Sequence, residues 1–297
     1  METSLHAEGK MIGHNILVSV LMTVYNREVF IVEAIESVLA STLKNFELII
    51  VDDCSTDNSV AIAKMYAAKD NRIRVYSNDK NLGDYPNRNI AASFATGKYI
   101  KYLDSDDKFY DFSLAYCVNI MEENPNAAWG LLSFYKGDEA VILTPKQSIT
   151  RHFFIKPFLT TGPDGSIYKK EFFDKIGGFS TIYGPANDYY TNIISATKGN
   201  LILMTKDFFY YRIHEGQEKN NQYGYLYNNY CLLKNATPYL KDFFTNNQLL
   251  YIKNKNSRRF IFNILKYFLQ TFNLTKTLFA IRQARFSLKD TFQGIFH

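Results

Sequence analysis

The chain has 297 residues, 46% of them hydrophobic and 21% charged, with a formal charge of +5 and three cysteines. This composition excludes a disordered chain, and the scattered, odd-numbered Cys54, Cys117 and Cys231 argue against a disulfide framework or a cysteine zinc site, which fits a reducing compartment. METSLHAEGKMIGHN at the start has no basic end followed by an apolar run, and no apolar stretch of about 18 residues follows, so neither secretion nor a membrane span is expected.

Residues 1–14 read as an extension ahead of a body that begins at 15. ILVSVLMTV (16–24) is a nearly continuous apolar run, the pattern of a strand covered on both faces. VFIVEAIESVLAS follows with Ile31, Ala34, Ile35, Val38 and Leu39 at helical spacing. FELIIVDD (46–53) is a second strand, and Ser55, Thr56 or Asp57 can cap the helix SVAIAKMYAAK. RIRVYSN (72–78) and NRNIAASFA (87–95) repeat the cycle, and KYIKYLD (98–104) closes it. Strands and helices alternating in this way predict an α/β fold with a largely parallel, doubly wound central sheet.

Beyond residue 125, AAWGLLSFYK and AVILTP read as strands, and EFFDKIGGF as a short helix ending at its glycine pair. DYYTNIISATKG reads as a helix stopped by Gly199, and NLILMTKDFFYYRI as further strand. The 22 Tyr and 24 Phe read mainly as core, as does Trp129, although rings in GPANDYY and NNQYGYLYNNY suit stacking on sugar faces. Arg151 and His152 read as surface residues.

NATPYLKDFFTNNQ leads into a C-terminal extension, 236–297, that mixes Phe, Leu and Ile with basic residues in a helical rhythm. From Asn246 to His297 nine Lys and Arg face a single acid, Asp290, a net of +8 that leaves −3 of the total +5 on the preceding residues. An anionic membrane surface or nucleic acid is the usual partner of such a segment. Two compatible readings stay open: an interfacial amphipathic helix on anionic lipid, and a helical pair packed on the body. No nucleic-acid-binding module accompanies the charge, so no nucleic-acid partner is expected. The expected location is the cytoplasm, with peripheral attachment to the inner membrane face if the extension binds lipid.

In open α/β sheets, ligands bind beyond the carboxyl ends of the strands. TVYN, VDDCS and LDSDD all fall at such ends, so their polar groups should converge on one edge. Asp52 and Asp53 read either as part of a capped turn or as acceptors for ligand hydroxyls and ring nitrogens. Asp104, Asp106 and Asp107 stand within four positions, and Asp-x-Asp after a strand suits Mn or Mg carrying a nucleoside diphosphate, whose oxygens complete the coordination. No G-x-x-x-x-G-K-[ST] occurs, no G-x-G-x-x-G follows the first strand, and HEGQE lacks the second histidine of a zinc protease motif. A diphosphate would therefore be held through metal and basic side chains.

VSVLMTVYNREVFIVEAIESVLASTLKNFELIIVDDCSTDNS followed by NLGDYPNRNIAASFATGKYIKYLDSDD resembles the amino-terminal half of a family 2 glycosyltransferase with the type A nucleotide-sugar fold. The match covers roughly residues 15–110 in order and spacing, with a weaker echo through GSIYKKEFFDKIGGF and GPANDYYTNIISATKG to YYRIHEGQ. The resemblance implies a catalytic domain at 15–235, divided into a nucleotide-binding half (15–110) and an acceptor half (111–235). It implies that Thr23, Tyr25 and Asn26 line the base pocket, with Tyr25 stacked on the base. Asp53 would accept from the base ring nitrogen with Asp52 beside it, and Asp84 and Arg88 would lie near the nucleotide. Asp104, next to Ser105, would contact ribose or metal, and Asp106 would bind the metal bridging the two phosphates.

The family's base lies in a Glu-Asp pair that opens a helix; Asn187-Asp188 stands there, leaving Asp188 as the implied base. His214 reads either as an ordinary packed or surface residue or, within the resemblance, as a metal or phosphate contact on a mobile loop, and Arg212 likewise. The implied reaction is metal-dependent, inverting sugar transfer from a nucleotide-sugar donor, most commonly a UDP-sugar, to a saccharide or lipid-linked saccharide, as in surface polysaccharide or glycolipid assembly. The Asn187 departure also admits a non-catalytic nucleotide-sugar-binding or assembly subunit. A nucleotidyltransferase is disfavoured by the missing glycine-rich loop.

Overall fold

A computed structural model of the chain describes residues 16–133, 140–215, 217, 221–287 and 290. Its amino-terminal half alternates β1 (Val18–Val24), α1 (Ile31–Leu39), β2 (Phe46–Asp52), α2 (Ser59–Ala67), β3 (Ile73–Ser77), α3 (Asp84–Ser93) and β4 (Tyr99–Tyr102). These are the elements expected from the apolar periodicity. α3 begins three residues earlier than its apolar pattern suggests, because Pro86 falls in the first turn, where the missing N–H has no intrahelical partner to lose. The strands are parallel in the order β3-β2-β1-β4, with Val18 opposite Phe46 on one side and Tyr99 on the other. Both faces are covered, as the unbroken apolar runs require. Leu21, Ile49 and Val51 enter one core layer, whereas Val20, Met22, Leu48 and Ile50 enter the other.

The second half departs from the parallel pattern. It comprises β5 (Lys108–Phe109), α4 (Ser113–Glu123), β6 (Trp129–Leu132), β7 (Val141–Leu143), α5 (Pro145–Thr150), a π-helical turn at Arg151–Ile155, β8 (Ser166–Lys169), α6 (Lys170–Ile176), α7 (Asn187–Lys198), β9 (Leu201–Met204) and β10 (Phe209–Tyr210). β8 runs antiparallel between β4 and β6, β9 is parallel to β6, and β7 closes the eight-stranded sheet antiparallel to β9. NLILMTKDFFYYRI is therefore two strands, not one: the chain turns after β9, and β10 leaves the main sheet to pair with β5. The AAWGLLSFYK expectation is met over β6; its last three residues, 134–136, lie outside the described residues.

α8 (Gln222–Ala236), α9 (Asn246–Thr271) and α10 (Leu274–Gln283) complete the chain, so the extension packs as a helical hairpin. Phe260 and Ile264 of α9 meet Leu226 and Tyr230 of α8 and Ala280 of α10 in a small core of their own. α8 also packs on the short helical turn Gly184–Ala186 that precedes α7. The 236 boundary is thus the end of a helix shared between body and extension. Among the described residues no helix is long and apolar enough to cross a membrane.

Candidate active site

Strand order reverses at β1, with β2 on one flank and β4 on the other, and a cavity of about 670 Å³ opens at the carboxyl ends of these strands. Asp53 and Asp106 both line it, so the acidic clusters of separate strands do converge. Thr23 and Tyr25 leave β1 into the same cavity, and Tyr25 keeps 47% of its surface exposed at the rim. The Ser105 hydroxyl donates to the Thr23 carbonyl at 2.9 Å and ties the loop after β4 to β1.

Asp53 is buried, and its carboxylate accepts from the Leu82 and Gly83 amides at 2.8 Å each and from Asn78 Nδ2 at 2.9 Å. Gly83 takes φ +89° at the start of α3, a conformation that costs glycine little and brings its amide round to Asp53. Asn26 and Asp52, both expected to touch the nucleotide, do not line the cavity. Asn26, at φ +52°, accepts from the Thr56 amide at 2.8 Å, and its own amide donates to Ser55 Oγ at 2.9 Å. Asp52 accepts from the Ser55 amide at 3.0 Å. Their polar atoms close the turn after β2 instead, the short-range capping role that Asp and Asn favour.

Arg88 reaches from α3 into the centre. It is 5% exposed; Nε donates to Asp84 at 2.8 Å and Nη2 lies 2.6 Å from Asp104. Tyr85 and Tyr102 place their rings within 5.7 and 5.8 Å of the guanidinium. Nη1 is buried with no hydrogen-bond partner among the described residues. An unsatisfied buried donor is costly, and in a cleft wall it suits a ligand acceptor.

Asp106 is shared by two side chains: Arg27 Nε at 3.1 Å and His214 Nε2 at 3.0 Å contact the same oxygen. His214 stacks on Phe30 at 4.7 Å, and Arg212 donates from its amide to Asp107 at 2.8 Å and from Nε to the Asp106 carbonyl at 2.9 Å. Asp104, Asp107 and Asp164 form a second group, each offering an oxygen within 4.8 Å of the others. Both oxygens of Asp164 accept from the Asp104 amide, at 3.0 and 3.1 Å. Burial, reinforced by the neighbouring carboxylates, raises the pKa of all three acids. Beneath them Lys101 is fully buried between the rings of Phe109 and Phe208, and its ammonium donates to the carbonyls of Tyr102 and Asp164.

Across the cleft Asp188 stands in the first turn of α7, where the helix dipole favours a carboxylate, and accepts from the Tyr189 amide at 2.6 Å. Burial nevertheless pushes its pKa up to about 7. Asn187 does not line the cavity. Its Oδ1 accepts from the Tyr183 amide at 2.8 Å and its Nδ2 donates to the Gly184 carbonyl at 2.7 Å. A carboxylate there could do only the first, so Asn187 is explained by the loop that enters α7.

Sequence reasoning missed Arg27, Lys101 and Asp164. Arg27 directly follows the TVYN motif, but Asp164 sits in an ordinary Pro-Asp-Gly turn that only the antiparallel approach of β8 carries to Asp104. His152 also needs correction: it is buried, not on the surface. Its Nδ1 accepts from the Phe158 and Leu159 amides at 3.1 Å each, Nε2 pairs with Tyr189 Oη at 2.9 Å, and burial lowers its pKa to about 3. An imidazole held neutral there organises the loop that leads to Asp164. Trp129 is in the core as expected, stacked on Tyr168.

Against known proteins, the profile described as Glycosyl transferase family 2 matches residues 19–181. An uncharacterized glycosyltransferase of Rickettsia felis is 45% identical over 130 residues, 44% of this chain and 21% of that protein. The minor teichoic acid biosynthesis protein GgaB of Bacillus subtilis is 38% identical over 110 residues, 36% of this chain and 12% of its own length. The matched stretch is thus about a fifth or less of these relatives. Among solved structures, Staphylococcus aureus TarS 1-349 in complex with UDP superposes with a TM-score of 0.71 at 20% identity, covering 94% of this chain and 81% of that one. The mannosyltransferase PcManGT from Pyrobaculum calidifontis, in complex with GDP-Man and Mn2+, gives 0.63 at 16% identity, with 95% and 84% covered. At such identities the structural likeness is one of fold, the type A nucleotide-sugar fold, while the profile match extends over more than half of the sequence: the chain belongs to the family 2 glycosyltransferases.

Proposed function

We propose that the protein transfers a sugar, with inversion, from a nucleoside-diphosphate donor to a hydroxyl of a saccharide or lipid-linked saccharide acceptor during assembly of a cell-surface polymer. A UDP-sugar is the first donor to test. The observation that carries this reading is that Asp188, with a pKa near 7, lines the same cavity as Asp53, Arg88 and Asp106. The TarS complex with UDP and the teichoic acid protein GgaB add support from relatives.

In this reading Tyr25 stacks on the base and Asp53 accepts from its ring, while Arg88 Nη1 supplies a donor to the nucleotide. A Mn or Mg ion would be held by Asp106 and His214, a carboxylate and an imidazole nitrogen already 3.0 Å apart. That donor set suits Mn better than Mg. The oxygens of the deeper trio already receive the Asp104 and Arg212 amides and the Arg88 guanidinium, whereas the Arg27 and His214 contacts of Asp106 both fall on a single oxygen, where the ion would take their place. When bound, the ion neutralises charge on the departing diphosphate. Asp188 takes the proton from the acceptor hydroxyl as its oxygen attacks the anomeric carbon from the face opposite the leaving group. A base whose pKa is near ambient pH is well matched to this task.

The test is incubation with a panel of nucleotide sugars, Mn and candidate acceptors. Release of nucleoside diphosphate with formation of a product of inverted anomeric configuration is expected. Donor binding without any release, across the panel, would leave a binding subunit in place of an enzyme.

A further inference from the structure

α9 turns Ile252, Phe260 and Ile264 inward. On the opposite face Arg258, Phe262, Leu265 and Leu269 follow one another at steps of four, three and four residues, and the three apolar side chains are 67%, 55% and 65% exposed. α10 repeats the arrangement: Ala280 is buried while Leu278 and Phe279 are exposed, with Arg282 one turn beyond Leu278. Between the helices Phe272 adopts φ +49°. Gly or Asn is usual at such a helix end, yet here a Phe takes the left-handed conformation and stands 76% exposed. The fold does not require these apolar groups in water.

Charge indicates what covers them. From Asn246 to Ser287 the chain has eight Lys and Arg and no acid, and all eight are exposed. A symmetric contact with a second copy would bring like charges together. Aliphatic side chains with basic neighbours are the composition of an interfacial helix, whose apolar groups enter the acyl boundary while the cations meet headgroup phosphates.

We propose that the outer face of the α9–α10 hairpin docks on an anionic lipid surface, with Phe262, Leu265, Leu269 and Phe272 inserted and Arg258, Lys266 and Arg282 on the phosphates. α8 joins this surface to the cleft: it packs on α9 and also carries Tyr225 into the cavity. A hydrophobically anchored acceptor in the same lipid surface would therefore meet the acceptor side of the site.

The full-length protein is to be sedimented with vesicles of phosphatidylcholine alone and of phosphatidylcholine mixed with phosphatidylglycerol, over a salt series. At least tenfold stronger partition onto the anionic vesicles is expected, weakening as salt rises. Combined Phe262→Ser, Leu265→Ser and Leu269→Ser should lose at least tenfold. Arg258→Gln with Lys266→Gln should lose about fivefold per charge removed. Both variants should keep the wild-type melting temperature. Absence of the wild-type protein from the anionic pellet, or equal partition onto both vesicles, overturns the proposal without touching the transferase reading. So does a wild-type dimer in light scattering that the triple variant converts to monomer, because the face would then be a contact between copies.

Discussion

The two walls of the cleft are assembled differently. On the wall proposed to hold the nucleotide, polar residues at the exits of parallel β2 and β4 are tied to the segment that leads into and along α3: Asp53 accepts the Leu82 and Gly83 amides, and Arg88 of α3 pairs with Asp84 and Asp104. On the wall proposed to face the acceptor, Asp164 comes from a turn before an antiparallel strand, Asp188 from the start of α7 and Tyr225 from α8. The first wall is cross-linked within itself by these bonds. The second presents a buried acid, Asp188, to the cavity.

The largest effect expected from this difference is kinetic. Asp188→Asn should lower kcat by about 10² to 10⁴ while leaving donor affinity within twofold, as measured by steady-state transfer and calorimetric titration with UDP. A large loss of affinity instead would assign Asp188 to the donor wall. In the wild type the deprotonated acid is the base, so kcat/KM should rise with pH through about 7. Stability runs the other way. Because the folded pKa lies above the unfolded value, this group's stabilising contribution is complete below the unfolded pKa and is lost as pH rises through about 7; Asp188→Asn should flatten that slope.

Next in size is a loss of stability on the opposite wall. Arg88→Met leaves Asp104 facing other carboxylates without its cation and should cost about 3 to 5 kcal/mol in denaturant unfolding. Arg88→Lys should not restore it, since an ammonium lacks the fork that reaches both Asp84 and Asp104. A cost below about 1 kcal/mol would mean the nucleotide wall is not held by this pair.

A third measurement sharpens the division at the cation. Mn should raise Tm by roughly 5 °C at a hundredfold excess over its dissociation constant. Asp106→Asn should abolish that rise and Asp164→Asn should retain it; the reverse pattern moves the ion to the deeper trio. The smallest expected change is at Asn187. Asn187→Ala leaves the Tyr183 amide and Gly184 carbonyl without their side-chain partner and should cost about 1 to 2 kcal/mol, with transfer rate within twofold. A rate loss as large as that of Asp188→Asn would give Asn187 a part in the chemistry.

What could be read from the sequence follows the same division. Parallel strands buried on both faces announce themselves as unbroken apolar runs, and the residues after them form local motifs, so β1, β2 and β4 and the meeting of Asp53 and Asp106 at one edge were legible, whereas Arg88, inside α3, was placed only by the family resemblance. Asn26 and Asp52 turn to the loop after β2, not to the cavity: cap chemistry and ligand chemistry use the same residue types, and only the direction of the side chain separates the two readings. Asp164 and His152 were missed because their neighbours are remote in sequence: Asp164 meets Asp104 through the β4–β8 pairing, and His152 meets Tyr189 across to α7. Nothing in PDG or RHFF marks such a meeting in advance.

Lys101 has a consequence for the floor of the cavity. Three carboxyl groups, those of Asp104, Asp107 and Asp164, crowd together just above it. The lysine's amino group acts as ballast: wedged below the floor, it tethers the Asp164 backbone through the carbonyl. That tether belongs to the fold itself and draws on no occupant of the cavity.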